Sequence, residues 1–240
     1  MRLIGVGVGP GDPELLTLKA VRVLATAGRV FVPVLDAADT GRAEATVRAH
    51  VAHDRVERLV FALNERTDAA RRERYWDAAG ARVADWLRAT GGTAAFATIG
   101  DPNVYATFGY LAETVRAALP EVVVETVPGI TAMQALAAAS GRPLVEGSEP
   151  LTLLPLARGV DLAPLRAALA GDGTVVVYKG GRHLAEIAAV VKESGRTAVY
   201  GAHVGLPDQD VRELSEVDGP APYLATVLVP AVRRTRGGKL

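Results

Sequence analysis

The chain of 240 residues contains no cysteine. That absence removes a disulfide framework, a zinc–thiolate centre, an iron–sulfur cluster and a cysteine nucleophile in one step. A reducing compartment suits such a composition, and a cytoplasmic location is expected. Neither sign of charge is in excess, because 27 Lys and Arg face 27 Asp and Glu. Without a long-range field to draw in polyanions or acidic lipid surfaces, binding to nucleic acid or to a membrane is not expected. No apolar run approaches the roughly 18 residues of a membrane span. The first residues, MRLIGVGVGPGD, pass from a short apolar run into a Gly/Pro/Asp turn, unlike a signal peptide with its cleavage region. What the chain does have is 49% hydrophobic and 22% charged residues, the balance of a globular protein and not of a disordered one. Its length fits one large domain or two small ones.

Residues 2–8 form an apolar run ending in Gly9-Pro10-Gly11-Asp12, the pattern of a buried strand and a turn. Asp12 suits a helix N-cap and Pro13 the first helical position, with Leu16, Ala20, Val23, Leu24 and Ala27 following at helical spacing. Strands are expected at 30–34 and 56–60, and Tyr75, Ala79, Val83, Trp86 and Leu87 predict a long helix over 69–90. A strand at 93–98, the loop Ile99-Gly100-Asp101-Pro102, and a helix face of Tyr105, Phe108, Leu111, Ala112 and Val115 repeat the unit. Residues 122–127, the turn Pro128-Gly129 and a helix over 131–139 repeat it again. The interruption at Pro120 places a domain boundary near Leu119 to Glu121, dividing the chain into residues 1–119 and 120–240. The second half holds strand patterns at 151–154, 174–178, 197–202, 211–214 and 223–229, and helical ones at 162–169 and 183–194. Both halves are expected to be α/β with mainly parallel sheets. The basic end, residues 233–240, reads as a frayed, solvated tail.

The first loop invites a dinucleotide reading, since glycines after a first strand let a phosphate approach a helix. The spacing does not support it. Counting G-x-G-x-x-G from Gly5 or Gly7 puts the third position on Pro10 or Asp12. A Walker sequence is absent as well. What remains are three loops at the carboxyl ends of strands: Gly9-Pro10-Gly11-Asp12, Ile99-Gly100-Asp101-Pro102 and Val127-Pro128-Gly129-Ile130-Thr131. That edge is where open α/β sheets bind ligands. Bared backbone groups and a carboxylate such as Asp101 suit a polar, net-cationic small molecule. No metal site is expected.

Taken in order, Gly5-Val6-Gly7-Val8-Gly9-Pro10-Gly11-Asp12-Pro13-Glu14-Leu15-Leu16-Thr17, then Gly100-Asp101-Pro102, then Val127-Pro128-Gly129-Ile130-Thr131-Ala132, the chain resembles the tetrapyrrole methyltransferases that use S-adenosylmethionine. The likeness covers nearly its whole length. The run from Gly100 to Leu111, together with Arg142-Pro143-Leu144-Val145-Glu146-Gly147 and Leu153-Leu154-Pro155, is similar to the version in precorrin-2 C20-methyltransferases of cobalamin biosynthesis. The resemblance implies two α/β domains with the cofactor in the cleft between them, a homodimer, and S-adenosyl-L-homocysteine as product. It carries over as cofactor-contacting positions Pro10, Ile99, Gly100, Asp101, Val104, Thr131, Ala132 and Tyr178. The resemblance further implies that Ala202, His203, Val204, Pro222 and Tyr223 complete the adenine pocket. Tyr178 stands where many members carry Met.

The implied nucleophile is the C20 meso carbon of precorrin-2 or cobalt-factor II. Other substrates of the same fold, precorrin-4 or uroporphyrinogen III, remain open, as does a non-catalytic nucleotide-binding module. Methyl transfer from a sulfonium depends mainly on positioning, but a proton must leave C20. The sequence does not single out the base among His183, His203, Glu146 and Asp101. For the carboxylates of the implied substrate, Arg42, Arg158, Lys179 and Arg182 are candidates. Tyr105, Phe108 and Tyr110 fit either a wall for a flat ring or the buried stripe of a helix.

Overall fold

The computed structural model describes residues 1–61, 68–156, 161–219, 221–222 and 224–233. Two compact units divide the chain, Met1–Thr131 and Ala132–Leu240. The first is built on five parallel strands: β1 (Arg2–Gly7), β2 (Arg29–Val34), β3 (Val56–Val60), β4 (Thr93–Thr98) and β5 (Val123–Val127), in the order β3-β2-β4-β1-β5. Its inner strands read as near-continuous apolar runs because both faces are covered. Helices α1 (Leu18–Thr26) and α2 (Arg42–Arg48) cover one face, enclosing Ile4, Val6, Leu24, Val30, Val32 and Val47. Across the sheet, α3 (Ala69–Thr90) and α4 (Phe108–Ala118) enclose Leu3, Phe31, Phe61, Val83, Leu87, Phe96 and Leu111.

The second unit contains α5 (Ala132–Ser140), β6 (Leu151–Pro155), α6 (Ala163–Leu169), β7 (Thr174–Tyr178), α7 (Leu184–Glu193), β8 (Val199–Ala202), β9 (Asp210–Glu213) and β10 (Thr226–Val229). Its sheet runs β6-β7-β10-β8-β9. Only β6 and β7 pair in parallel; β10 is antiparallel to both β7 and β8, and β8 to β9. Leu165, Ile187, Val190, Tyr200, Val227 and Val229 form the core on one face. On the other, Leu136 of α5 closes on Gly201, where an added Cβ would meet Leu136 Cδ1 at 2.5 Å.

Three expectations need correction. The chain divides after β5, between Thr131 and Ala132, not near Leu119 to Glu121, because Val123–Val127 pairs with Arg2–Val6 as the edge of the first sheet. The parallel arrangement holds in the first sheet but not the second, where the short connection after β8 reverses the chain and β9 and β10 both run against β7 and β8. The early helix is split: Asp12 accepts from the Glu14 amide and caps a 3₁₀ turn over Pro13–Leu15, while Thr17 accepts from the Ala20 amide and caps α1. Helix α2 was not expected at all. It is short, its Gly41 cap supplies no side-chain bond, and a buried Glu44 interrupts its apolar pattern.

Candidate functional site

All five strands of the first sheet end at one edge, and the three glycine-bearing loops meet there. The Gly100 amide donates to Gly9 O at 2.8 Å, and the Val8 amide to Thr98 O at 2.9 Å. Asp101, 9% exposed, ties the third loop in: Oδ2 accepts from the Gly129 amide at 3.0 Å and Oδ1 from the Asn103 amide at 2.8 Å. Asn103 Nδ2 donates to Thr126 Oγ1 at 3.3 Å, closing the network against β5. The carboxylate thus satisfies backbone donors and is a fastener of loops, not an open counter-charge or a base.

The approach is close enough to require glycine at two positions. A Cβ on Gly7 would lie 2.5 Å from Gly100 O and 2.6 Å from Gly129 N, and one on Gly129 would lie 2.1 Å from Gly100 O. Gly100 itself has φ +73, and outside its chain neighbours the nearest heavy atom a Cβ would meet is Thr131 Cα at 4.0 Å. The Cα of Gly100 thus faces open space rather than side chains, a surface of the kind that admits a small ligand against main chain.

Helix α2 braces this edge from behind. Thr46 Oγ1 donates to Gly11 O at 3.2 Å, and His50 Nε2 lies 2.9 Å from Pro13 O; since a carbonyl only accepts, Nε2 carries the hydrogen. Glu44, with no exposed side-chain surface, accepts from Arg48 and from Arg58 at 2.7 Å each. Arg58 also donates to Ala37 O and Thr40 Oγ1. None of this was legible as function, because the ties run from side chains to backbone oxygens distant in sequence.

The second unit gathers its candidates at one sheet edge as well. Strands β7 and β8 are both antiparallel to β10, so their carboxyl ends flank its first residue, Thr226, which is paired with Tyr178 on one side and Gly201 on the other. Tyr178, Ala202, His203 and Val204 therefore stand together. The Tyr178 phenol oxygen accepts from the Met133 amide at 3.0 Å, anchoring the start of α5. Pro222 joins them through Gly181, since a Cβ on Gly181 would lie 2.1 Å from Pro222 O. His203 Nδ1 lies 2.6 Å from Asp208 Oδ2, which fixes the hydrogen on Nδ1. Tyr223 and Arg158 lie outside the described residues.

Among the described residues, three non-glycine residues have a left-handed backbone, Tyr105 (φ 51), Lys179 (φ 62) and His203 (φ 52). All three follow strand carboxyl ends at these edges. Such residues cost of order 1–3 kcal/mol each and persist where surrounding structure holds them. Tyr105 is therefore in the loop, 42% exposed, and only Phe108 belongs to the buried stripe. Partial burial raises the Tyr105 phenol above its ordinary value, so it stays protonated at neutral pH. Tyr110 is exposed on α4, stacked on Trp76. Arg42 opens α2, while Lys179, Arg182 and His183 follow β7. Glu146 does not belong here. It precedes β6, at the opposite edge of its sheet, and lies 3.6 Å from Arg233.

Residues 2–218 match the family described as Tetrapyrrole (Corrin/Porphyrin) Methylases. The chain is 36% identical over 239 residues to a precorrin-2 C(20)-methyltransferase of Sinorhizobium, covering 95% of each chain. It is 39% identical over 161 residues to a probable cobalt-precorrin-2 C(20)-methyltransferase of Methanocaldococcus jannaschii, covering 67% of this chain and 66% of that one. The crystal structure of uroporphyrin-III C-methyltransferase from Thermus thermophilus, complexed with S-adenosyl homocysteine, superposes with a TM-score of 0.65 at 24% identity, covering 95% of this chain and 97% of that one. With the loop architecture and these matches in agreement, the chain belongs to the tetrapyrrole (corrin/porphyrin) methylase family.

Proposed function

We propose that the protein is an S-adenosylmethionine-dependent C-methyltransferase of cobalamin biosynthesis, methylating C20 of precorrin-2 or of its cobalt-bearing counterpart. The observation that carries this reading is the 36% identity to the Sinorhizobium enzyme, which runs through 95% of both chains. The cofactor fits the residues present: at Gly100 no heavy atom beyond its chain neighbours lies nearer than 4.0 Å to a Cβ position, so a small ligand can approach the main chain there without meeting a bulky side chain. When bound, S-adenosylmethionine supplies an electrophilic methyl group on a sulfonium, whose loss leaves S-adenosylhomocysteine.

The protein's part is positioning. Alignment of two reacting groups can lower a barrier by roughly 7–11 kcal/mol, so the fastening of the loops by Asp101 and their bracing by α2 bear directly on rate. We assign cofactor contact to Pro10, to the Ile99–Asp101 loop with Val104, and to Thr131 in the first unit. In the second unit we assign it to Ala132, Tyr178, Ala202–Val204 and the 222–223 pair. Tyr105, held in its strained loop, is assigned to the substrate side. The protein is expected to act in the cytoplasm as a homodimer, and light scattering should return about twice the 25.1 kDa chain mass. A monomer throughout the active concentration range would refute that assignment.

The test of function is mass spectrometry of the tetrapyrrole after incubating the protein and S-adenosylmethionine with metal-free precorrin-2 and, separately, with cobalt-factor II. One methyl added at C20 is expected in at least one. A methyl elsewhere on the ring keeps the family and removes the assigned position, whereas no methylation of either removes both substrates.

A further inference from the structure

We propose that Tyr178 is a positioning residue: its phenol oxygen, through the Met133 amide, fixes where α5 begins and so where the main chain of Ala132 meets the cofactor. This rests on the cofactor reading above and says how one of the assigned residues acts, through a helix start on another element.

Strand alternation decides which way Tyr178 faces. Val175 and Val177 belong to the core shared with α6 and α7, so Val176 and Tyr178 turn to the other face of the sheet. The pairing register sets Tyr178, Thr226 and Gly201 in one row across β7, β10 and β8, and directly opposed residues share a face. Helix α5 lies on that face. At one end of the row Leu136 closes on Gly201, where an added Cβ would meet Leu136 Cδ1 at 2.5 Å. At the other end the Tyr178 phenol oxygen accepts from the Met133 amide at 3.0 Å. Met133 and Leu136, three residues apart, are on one side of the helix, so α5 is seated on the row at two points.

The two seats specify different things. Apolar contact is non-directional, so Leu136 against Gly201 holds α5 to the sheet without fixing its start. A hydrogen bond weakens steeply away from linearity, and this one engages the second residue of the helix. The first four amides of a helix have no acceptor within it. Here one of them is met from 45 residues away in sequence, which ties the start of α5 to the sheet as well as to its local sequence.

The phenol is carried on a fixed base. Tyr178 is paired with Thr226 on one side and Pro155 on the other, and its carbonyl accepts from the Leu156 amide at 2.9 Å. A side chain supported in this way can hold a neighbour in place to within a fraction of an ångström. Methionine, which many members of the family carry at this position, has a thioether that accepts only weakly and cannot hold the amide in the same way.

The experiment compares wild type with Tyr178→Phe, Tyr178→Met and Val190→Ala. Phe keeps the ring and removes only the oxygen. Val190 of α7, buried in the core on the opposite face of the sheet, is the control for lost stability alone. Calorimetry gives the S-adenosylhomocysteine Kd, kinetics give KM for S-adenosylmethionine and for the tetrapyrrole, and NMR follows hydrogen exchange of the Met133 amide in the ligand-free protein. Tyr178→Phe and Tyr178→Met should each raise the Kd and the S-adenosylmethionine KM about 10-fold, the worth of one hydrogen bond. Both should speed exchange at Met133 and leave the tetrapyrrole KM within twofold of wild type. Val190→Ala should lower Tm and leave Kd and both KM values unchanged. A wild-type Kd in Tyr178→Phe, or an equal loss of affinity in folded Val190→Ala, would overturn the inference. So would a weakened Kd with Met133 exchange unchanged, since the phenol would then touch the ligand itself. A wild type that does not bind S-adenosylhomocysteine would instead overturn the reading on which the inference rests.

Discussion

Gly129→Ala should abolish tight S-adenosylhomocysteine binding and cut methylation by about 10²-fold or more, with a stability loss of roughly 3 kcal/mol. The reason is geometric. The new Cβ would stand 2.1 Å from Gly100 O and 2.8 Å from both Gly7 C and Gly7 Cα. All three are backbone atoms, so no side chain can rotate away, and relief requires the loops to part. Parting them stretches the Gly129 amide from Asp101 Oδ2 and leaves a buried carboxylate oxygen short of a donor. Gly109→Ala is the matched control: nothing lies within 4 Å of a Cβ there. Within helix α4 the change should be neutral or stabilise by up to about 1 kcal/mol. Calorimetry with S-adenosylhomocysteine and denaturant unfolding of both variants decide the matter. A Gly129→Ala protein with wild-type affinity and midpoint would show that the three loops do not act as one structure.

The loops themselves were legible because their chemistry is local. A strand ending in glycine and proline before a helix announces a turn wherever it occurs, and three such endings announce one edge. Helix α3, Ala69–Thr90, was equally open to reading, since Tyr75, Ala79, Val83, Trp86 and Leu87 recur at helical spacing within it. The first domain boundary was misplaced for the opposite reason. Pro120 marks a local break, but β5 belongs to whichever sheet it pairs with, and pairing with β1 spans more than a hundred residues of sequence. The same holds for the role of Asp101. A carboxylate in a glycine loop reads as a ligand or a base; only the fold shows both oxygens already occupied by the amides of Asn103 and Gly129.

Glu44 is the clearest case of a site residue that sequence alone hides, and its removal is the second large effect expected. Burial raises its carboxyl, but hydrogen bonds and charge from Arg58 and Arg48 outweigh that and hold it below the usual glutamate range. A carboxylate with a depressed folded value stabilises the fold above its unfolded value and loses that contribution as pH falls through the folded one. Wild-type stability should accordingly decline as pH drops below about 4. Glu44→Gln should lose roughly 3 kcal/mol at pH 7, the low end for breaking a buried pair, because both guanidiniums keep about a quarter of their surface in water. Its acid limb should be flatter than that of wild type. Because Thr46 of the same helix and His50 just beyond its end hold Gly11 O and Pro13 O, loosening α2 should also weaken S-adenosylhomocysteine binding under conditions where the variant is still folded. Unfolding midpoints from pH 3 to pH 8, with calorimetry at pH 7, separate the two consequences. An acid limb as steep in Glu44→Gln as in wild type would remove Glu44 as its source, and undiminished ligand affinity would show that the first loop stands without its brace.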